Sequence, residues 1–77
     1  MTEEEIKRLY TGEKVILKTD ITAAVEAGIH DDFARRFAGK SVTIKKLMEG
    51  YIQIEESIIS WWFPVEFIER AEEKRAI

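Results

Sequence analysis

The stretch Ser60-Trp61-Trp62-Phe63-Pro64-Val65-Glu66-Phe67-Ile68-Glu69 decides how this chain is read. It holds both tryptophans, the sole proline and two of the four phenylalanines. Bulky aromatics in succession suit a pleated, half-buried strand. Pro64 has no amide hydrogen to give to a ladder, so it ends the strand or starts a helical turn. The run therefore reads as the last strand and closing turn of a small β-barrel. Side chains alternate along a strand. Ile59, Trp61 and Phe63 are then expected to face the core, with Ile58, Ser60 and Trp62 outside.

Upstream, two more segments alternate. Ser41-Val42-Thr43-Ile44-Lys45-Lys46-Leu47 points Val42 and Ile44 inward. Tyr51-Ile52-Gln53-Ile54-Glu55 does the same with Ile52 and Ile54. Glu49-Gly50 is the turn between them and Glu56-Ser57 the break after them. Lys14-Val15-Ile16-Leu17-Lys18-Thr19 is compact and β-branched, which predicts a first strand with Val15 and Leu17 on one face. Twist accumulating through so tight a meander tends to curl and close it.

Between the first strand and the meander the β signal stops for about twenty residues. Thr22 to Gly28 is weakly helical. His30 to Gly39 is a stronger helix, capped by Asp31 or Asp32, paired through Phe33 and Phe37 at i and i+4, and closed by Gly39. The two phenylalanines are expected to plug one end of the core. Thr2-x-x-Glu5 reads as a capping box. With Ile6, Leu9 and Tyr10 at helical spacing, it predicts a short helix over residues 3–10. Glu66 to Ala76 reads as a short charged helix or tail, with Glu66 and Arg70 at i,i+4 spacing and the barrel ending near residue 69.

Seventy-seven residues make one domain, 1–77, near the lower limit for a single core. Without cysteine there is neither a disulfide nor a thiolate metal site. No apolar run reaches the roughly 20 residues that cross a bilayer. The acidic Met1-Thr2-Glu3-Glu4-Glu5 start lacks the basic and apolar regions of a signal peptide. The expectation is a soluble, cytoplasmic protein. A net charge of −3 argues against non-specific nucleic-acid binding. Against that, Arg35, Arg36, Lys40, Lys45 and Lys46 occur without an intervening acid from Phe33 to Leu47, so a basic face is possible.

One strand, a long excursion, three meandering strands and the closing Phe63-Pro64-Val65-Glu66-Phe67-Ile68 resemble a Src-homology-3-type barrel. The resemblance spans roughly residues 12–69. It implies a mainly β fold: a small barrel of four to five strands, with a short N-terminal helix and helical turns in the long first loop. It also implies that Phe63 and Ile68 are core, that Pro64 and Phe67 line a peptide groove, and that Trp62 flanks it. The first strand lacks the aromatic pair of that family. The chain is also similar to small barrel proteins of bacteria and phages, through Gly12-x-x-Val15-x-Leu17, Gly39-Lys40-x-Val42-Thr43-Ile44 and Trp62-x-x-x-Glu66. That likeness implies no particular activity.

The candidate working surface is therefore Trp62, Pro64 and Phe67, joined by Tyr51, holding an apolar or extended peptide segment of a protein partner. Flat aromatics give large contact area at small entropic cost. The opposing reading buries all of them, Trp62 being covered by the N-terminal helix through Leu9 and Tyr10. An alternative partner is nucleic acid, held by Arg35, Arg36, Lys40, Lys45 and Lys46 with Tyr51 or Trp62 stacking on bases. A third is a structural subunit that self-associates through an open strand edge. His30-Asp31-Asp32 is the only cluster that suggests metal or acid–base chemistry. Three neighbours on one turn do not surround an ion, and a helix cap explains them. Ser41, Ser57 and Ser60 lack any nucleophile-elbow context, one histidine leaves little room for a triad, and no Gly-rich phosphate loop occurs. The chain is expected to be non-enzymatic, with no metal and no cofactor.

Overall fold

Val15 and Leu17, on one face of an apolar tetrapeptide, draw Lys14–Leu17 into strand β1 and are both buried. The computed structural model describes residues 7–59 and 61–72. After β1 come helices α1 (Thr22–Glu26) and α2 (Asp31–Phe37), then strands β2 (Ser41–Met48) and β3 (Tyr51–Ile54). The two-residue strand β4 (Phe63–Pro64), a 3-10 turn (Val65–Phe67) and strand β5 (Ile68–Ala71) complete it. The five strands form one antiparallel sheet in the order β4-β3-β2-β1-β5. The fold is mainly β, and among the described residues the sheet is not closed. Its edges are β4 and β5, joined through the 3-10 turn.

Strand β2 belongs to both halves of the sheet. Ser41, Val42 and Thr43 pair with β1, whereas Ile44 to Met48 pair with β3. A register shift between Ile44 and Lys46 marks the change. An extra residue on one strand bends it and sharpens its twist, which lets one strand serve two directions. Gly50 follows at the hairpin with φ of 81°, a conformation that side chains with a Cβ rarely adopt.

The core is aliphatic in the sheet and aromatic beneath the helices. Val15, Leu17, Val42, Ile44, Ile52 and Ile54 are buried as the alternation predicts. Gln53, expected outside, is also buried. Phe33 and Phe37 do plug one end. Phe33 stacks on Phe63 at 5.6 Å between ring centres, Phe37 meets the same ring edge-on at 5.8 Å, and Phe63 stacks on Phe67 at 5.9 Å. Such contacts add to the large apolar area each ring buries.

Three expectations change. The strand expected from Ile58 to Phe63 shrinks to Phe63–Pro64, so Ile59 and Trp61 are exposed rather than core. Turn chemistry overrides alternation there. The Ser57 hydroxyl donates to the Ile59 carbonyl at 2.6 Å and accepts from its amide at 3.2 Å, and Trp61 N–H donates to the same carbonyl at 2.9 Å. Ile68–Ala71 is strand rather than helix, and it carries the sheet two residues past the expected limit. The open edge of β1 recruits it, Lys18 N–H donating to Phe67 O and Glu72 N–H to Lys14 O. The cap of α2 is His30, whose Nδ1 accepts from the Asp32 amide at 3.3 Å. At the N-terminus, residues 3–6 of the expected helix, including its capping box, lie outside the described residues, as do residues 73–77 of the expected tail. Leu9 is buried and Tyr10 is exposed.

Candidate interaction site

Three elements converge beside strand β4. Tyr51 starts β3 directly after the Gly50 turn and pairs across the ladder with Pro64. Val65 N–H donates to Gly50 O at 3.0 Å and ties the 3-10 turn to that hairpin. Trp61 and Trp62 enter from the loop before β4. Ala27, just past the end of α1, supplies the opposite wall. Together Ala27, Tyr51, Trp61 and Trp62 line a cleft of about 340 Å³.

The start of α1, and with it the placement of Ala27, depends on Asp20. Its carboxylate accepts from the Thr22 hydroxyl at 2.6 Å and from the Thr22 amide at 2.9 Å. Those two bonds favour the ionised form, hydroxyl first, and hold the Asp20 pKa below its ordinary 3.8.

The cleft continues on both sides. Trp61 also lines a second cleft of about 270 Å³, with Gly28, His30, Phe33 and Ile59. On the other flank Ala27 and Tyr51 line a third, of about 320 Å³, with Pro64, Glu26 and Glu66 among its walls. Shared residues make the three one track, apolar at the Trp61 end and carboxylate-lined at the Pro64 end.

The expected contact residues divide. Tyr51 is 41% exposed and lines the central cleft, and half-buried Trp62 lines it too. Pro64 is buried and meets only the flanking cleft from below. Phe67 is 0% exposed. Its ring belongs to the phenylalanine stack, so its expected role as a contact residue is corrected to core. Trp61, 46% exposed, is the residue that alternation had turned inward. Ser57, a turn-forming residue upstream of it, was the signal against a continuous strand. Among the described residues the N-terminal segment does not line this cleft. Leu9 instead borders a cleft with Leu47 and Met48 at the β2–β3 hairpin.

The basic residues are spread over α2, the link after it and β2. Arg35 and Arg36 occupy the last turn of α2, where cations suit the helix dipole, and Arg35 lies 3.9 Å from Asp31. Lys45 and Lys46 are exposed in the second half of β2. Five residues of largely extended backbone separate Lys45 from Lys40, about 16 Å at a strand's rise per residue. His30, Asp31 and Asp32 bring ligand atoms within 4.8 Å of one another, all on exposed side chains. The Asp32 amide engages both His30 Nδ1 and, at 3.0 Å, Asp31 Oδ1. These are capping bonds.

No protein-family model matches the chain, and no curated protein or solved structure does either. No helix among the described residues is long and apolar enough to cross a membrane.

Proposed function

We propose that the chain is a non-enzymatic interaction module, and that its open sheet belongs to a small Src-homology-3-like barrel. Its working face is the track centred on Tyr51, Trp61 and Trp62, and its ligand is an extended, largely apolar peptide segment of a partner protein. The barrel reading is supported by β2, shared between two halves of the sheet, and by the 3-10 turn that links the edge strands. One observation carries the function. The interior is filled by four phenylalanines and aliphatic side chains, yet Trp61 and Tyr51 stand 46% and 41% exposed over one cleft.

A small protein gains stability by burying its largest side chains, so two half-exposed aromatics over a shared cleft point to contact with something else. Successive clefts along one track suit a chain read at intervals, as extended peptides are. The mode of action is occupancy.

A random-peptide display selection on the whole chain tests this. Enriched peptides carry aromatic or aliphatic anchors and bind with micromolar Kd. Trp61→Ala abolishes that binding while Tm stays within about 5 °C, as befits a partly exposed side chain. Failure to enrich any peptide, or retention of affinity by Trp61→Ala, defeats the reading.

A further inference from the structure

We propose that the central cleft is a site for a methylated ammonium group, seated among the rings of Tyr51, Trp61 and Trp62. The inference rests on the reading that this cleft is the working face, and it names the chemistry the cleft selects.

The walls come first. Three aromatic side chains from two segments, one opening β3 and two preceding β4, line the same cleft of about 340 Å³, with Ala27 as a small fourth wall. Among the described residues the ring-on-ring contacts are all between phenylalanines. The tyrosine and the two indoles are therefore not stacked on one another, and the cleft lies between them. Indole is the strongest aromatic partner for a cation, through the negative face of its quadrupole.

The charges come next. No lysine, arginine or histidine lines this cleft. Glu26 and Glu66 line the adjoining one, which shares Ala27 and Tyr51 with it. Neither carboxylate is ion-paired to a base among the described residues. On the Tyr51 side the nearest charged walls are thus acidic, on the Trp61 side the neighbouring cleft holds His30, and the cleft's own side chains are three aromatic rings and an alanine. A simple ammonium has three donors to satisfy and is strongly hydrated. A trimethylammonium group has no N–H, spreads its charge over methyl groups and loses less than a simple ammonium on leaving water. It suits aromatic walls with carboxylates in the adjoining cleft.

The test follows the indole N–H resonances of the full chain during titration with choline, against its neutral carbon isostere dimethylbutanol, at constant ionic strength. Choline shifts both resonances saturably, and the alcohol binds at least about tenfold more weakly. Trp61→Ala abolishes the choline response with its folded spectrum retained. The pair Glu26→Gln and Glu66→Gln weakens choline several-fold, most at low salt. A peptide carrying trimethyllysine, compared with the same peptide carrying lysine, identifies the source. Tighter binding than choline assigns the group to a modified protein, and equal or weaker binding assigns it to a free compound. Equal responses to choline and the alcohol, or none to choline, overturn the proposal. If a display-selected apolar peptide still binds in that case, the interaction module stands and only the cation is lost.

Discussion

The Glu56 carboxylate takes both donors of Thr43, accepting from its amide at 2.7 Å and from its hydroxyl at 2.9 Å. Thr43 O accepts in turn from Glu55 N–H at 2.9 Å. Strand β3 has ended at Ile54, so a side chain supplies the rung that the backbone no longer offers. Without it the Thr43 amide would lack a ladder partner from β3. Functionally, the clamp anchors the base of the loop that carries Ile58, Ile59 and Trp61.

Glu56→Ala removes both acceptors and is expected to lower stability by about 1 kcal/mol, a charged-group hydrogen-bond loss tempered by an exposed position. Thr43→Val removes one of the two bonds. Chemical denaturation of both single variants and the double variant is expected to give a coupling energy near 1 kcal/mol. Strict additivity would mean that the clamp does not hold the loop.

Phe67 and Tyr51 are both aromatic residues from the sequence-predicted surface, and they are expected to separate sharply on truncation. Phe67→Ala empties space in the phenylalanine stack and costs about 3–5 kcal/mol. That is a large share of the stability of so small a domain, and it leaves the variant barely folded. Tyr51→Ala is expected to cost far less, about 1 kcal/mol, because its side chain already stands partly in water. Urea melts of the two variants check this. Similar midpoints would place the two rings in equivalent surroundings, contrary to the structure.

Asp20 makes stability depend on pH in a definite direction. Its folded-state pKa is held below 3.8 by the Thr22 hydroxyl and amide. A group whose pKa is depressed by folding contributes stability above its unfolded pKa and loses that contribution as pH falls through the folded value. Asp20→Ala is therefore expected to lower Tm at neutral pH, with the gap to wild type closing as the solution is acidified below pH 3.8. Thermal melts across that range decide it. A gap independent of pH would mean that the carboxylate is not what holds the start of α1.

Local signals were legible where they had no competitor. Alternation at Val15 and Leu17, Val42 and Ile44, and Ile52 and Ile54 located three strands, Gly39 marked the end of α2 and Gly50 the hairpin between β2 and β3. Tyr51 was placed on the surface for the same reason. The segment from Ser57 to Trp62 defeats a period-two count, because three short-range bonds fold it into a turn. Strand β5 was illegible for the opposite reason. Glu66 to Ala71 contains good helix formers, and only the distant open edge of β1 makes it a strand. Phe67 was assigned to a groove by resemblance, whereas its ring is consumed by Phe63. Glu26 and Glu66 meet at one cleft through the packing of α1 against the 3-10 turn, which no spacing in the chain announces.

Two glycines with similar backbone conformations are expected to respond differently to alanine. Gly50 has φ of 81° with nothing within 4 Å of an added Cβ, so Gly50→Ala carries only the left-handed backbone penalty, about 1–2 kcal/mol. Gly39 has φ of 73°, and an added Cβ would lie 3.0 Å from Thr19 Cγ2. Gly39→Ala thus carries the same backbone penalty and a methyl–methyl clash besides. The Gly39 amide, facing the carbonyls of Leu17 and Lys18 at 3.0 and 3.1 Å, resists moving away to relieve it. Thr19→Ser deletes the opposing methyl while retaining the hydroxyl. In that background Gly39→Ala is expected to destabilise by an amount close to that of Gly50→Ala, and denaturant midpoints of the four variants measure it. If Thr19→Ser returns none of the loss, crowding against Thr19 is not what sets Gly39 apart.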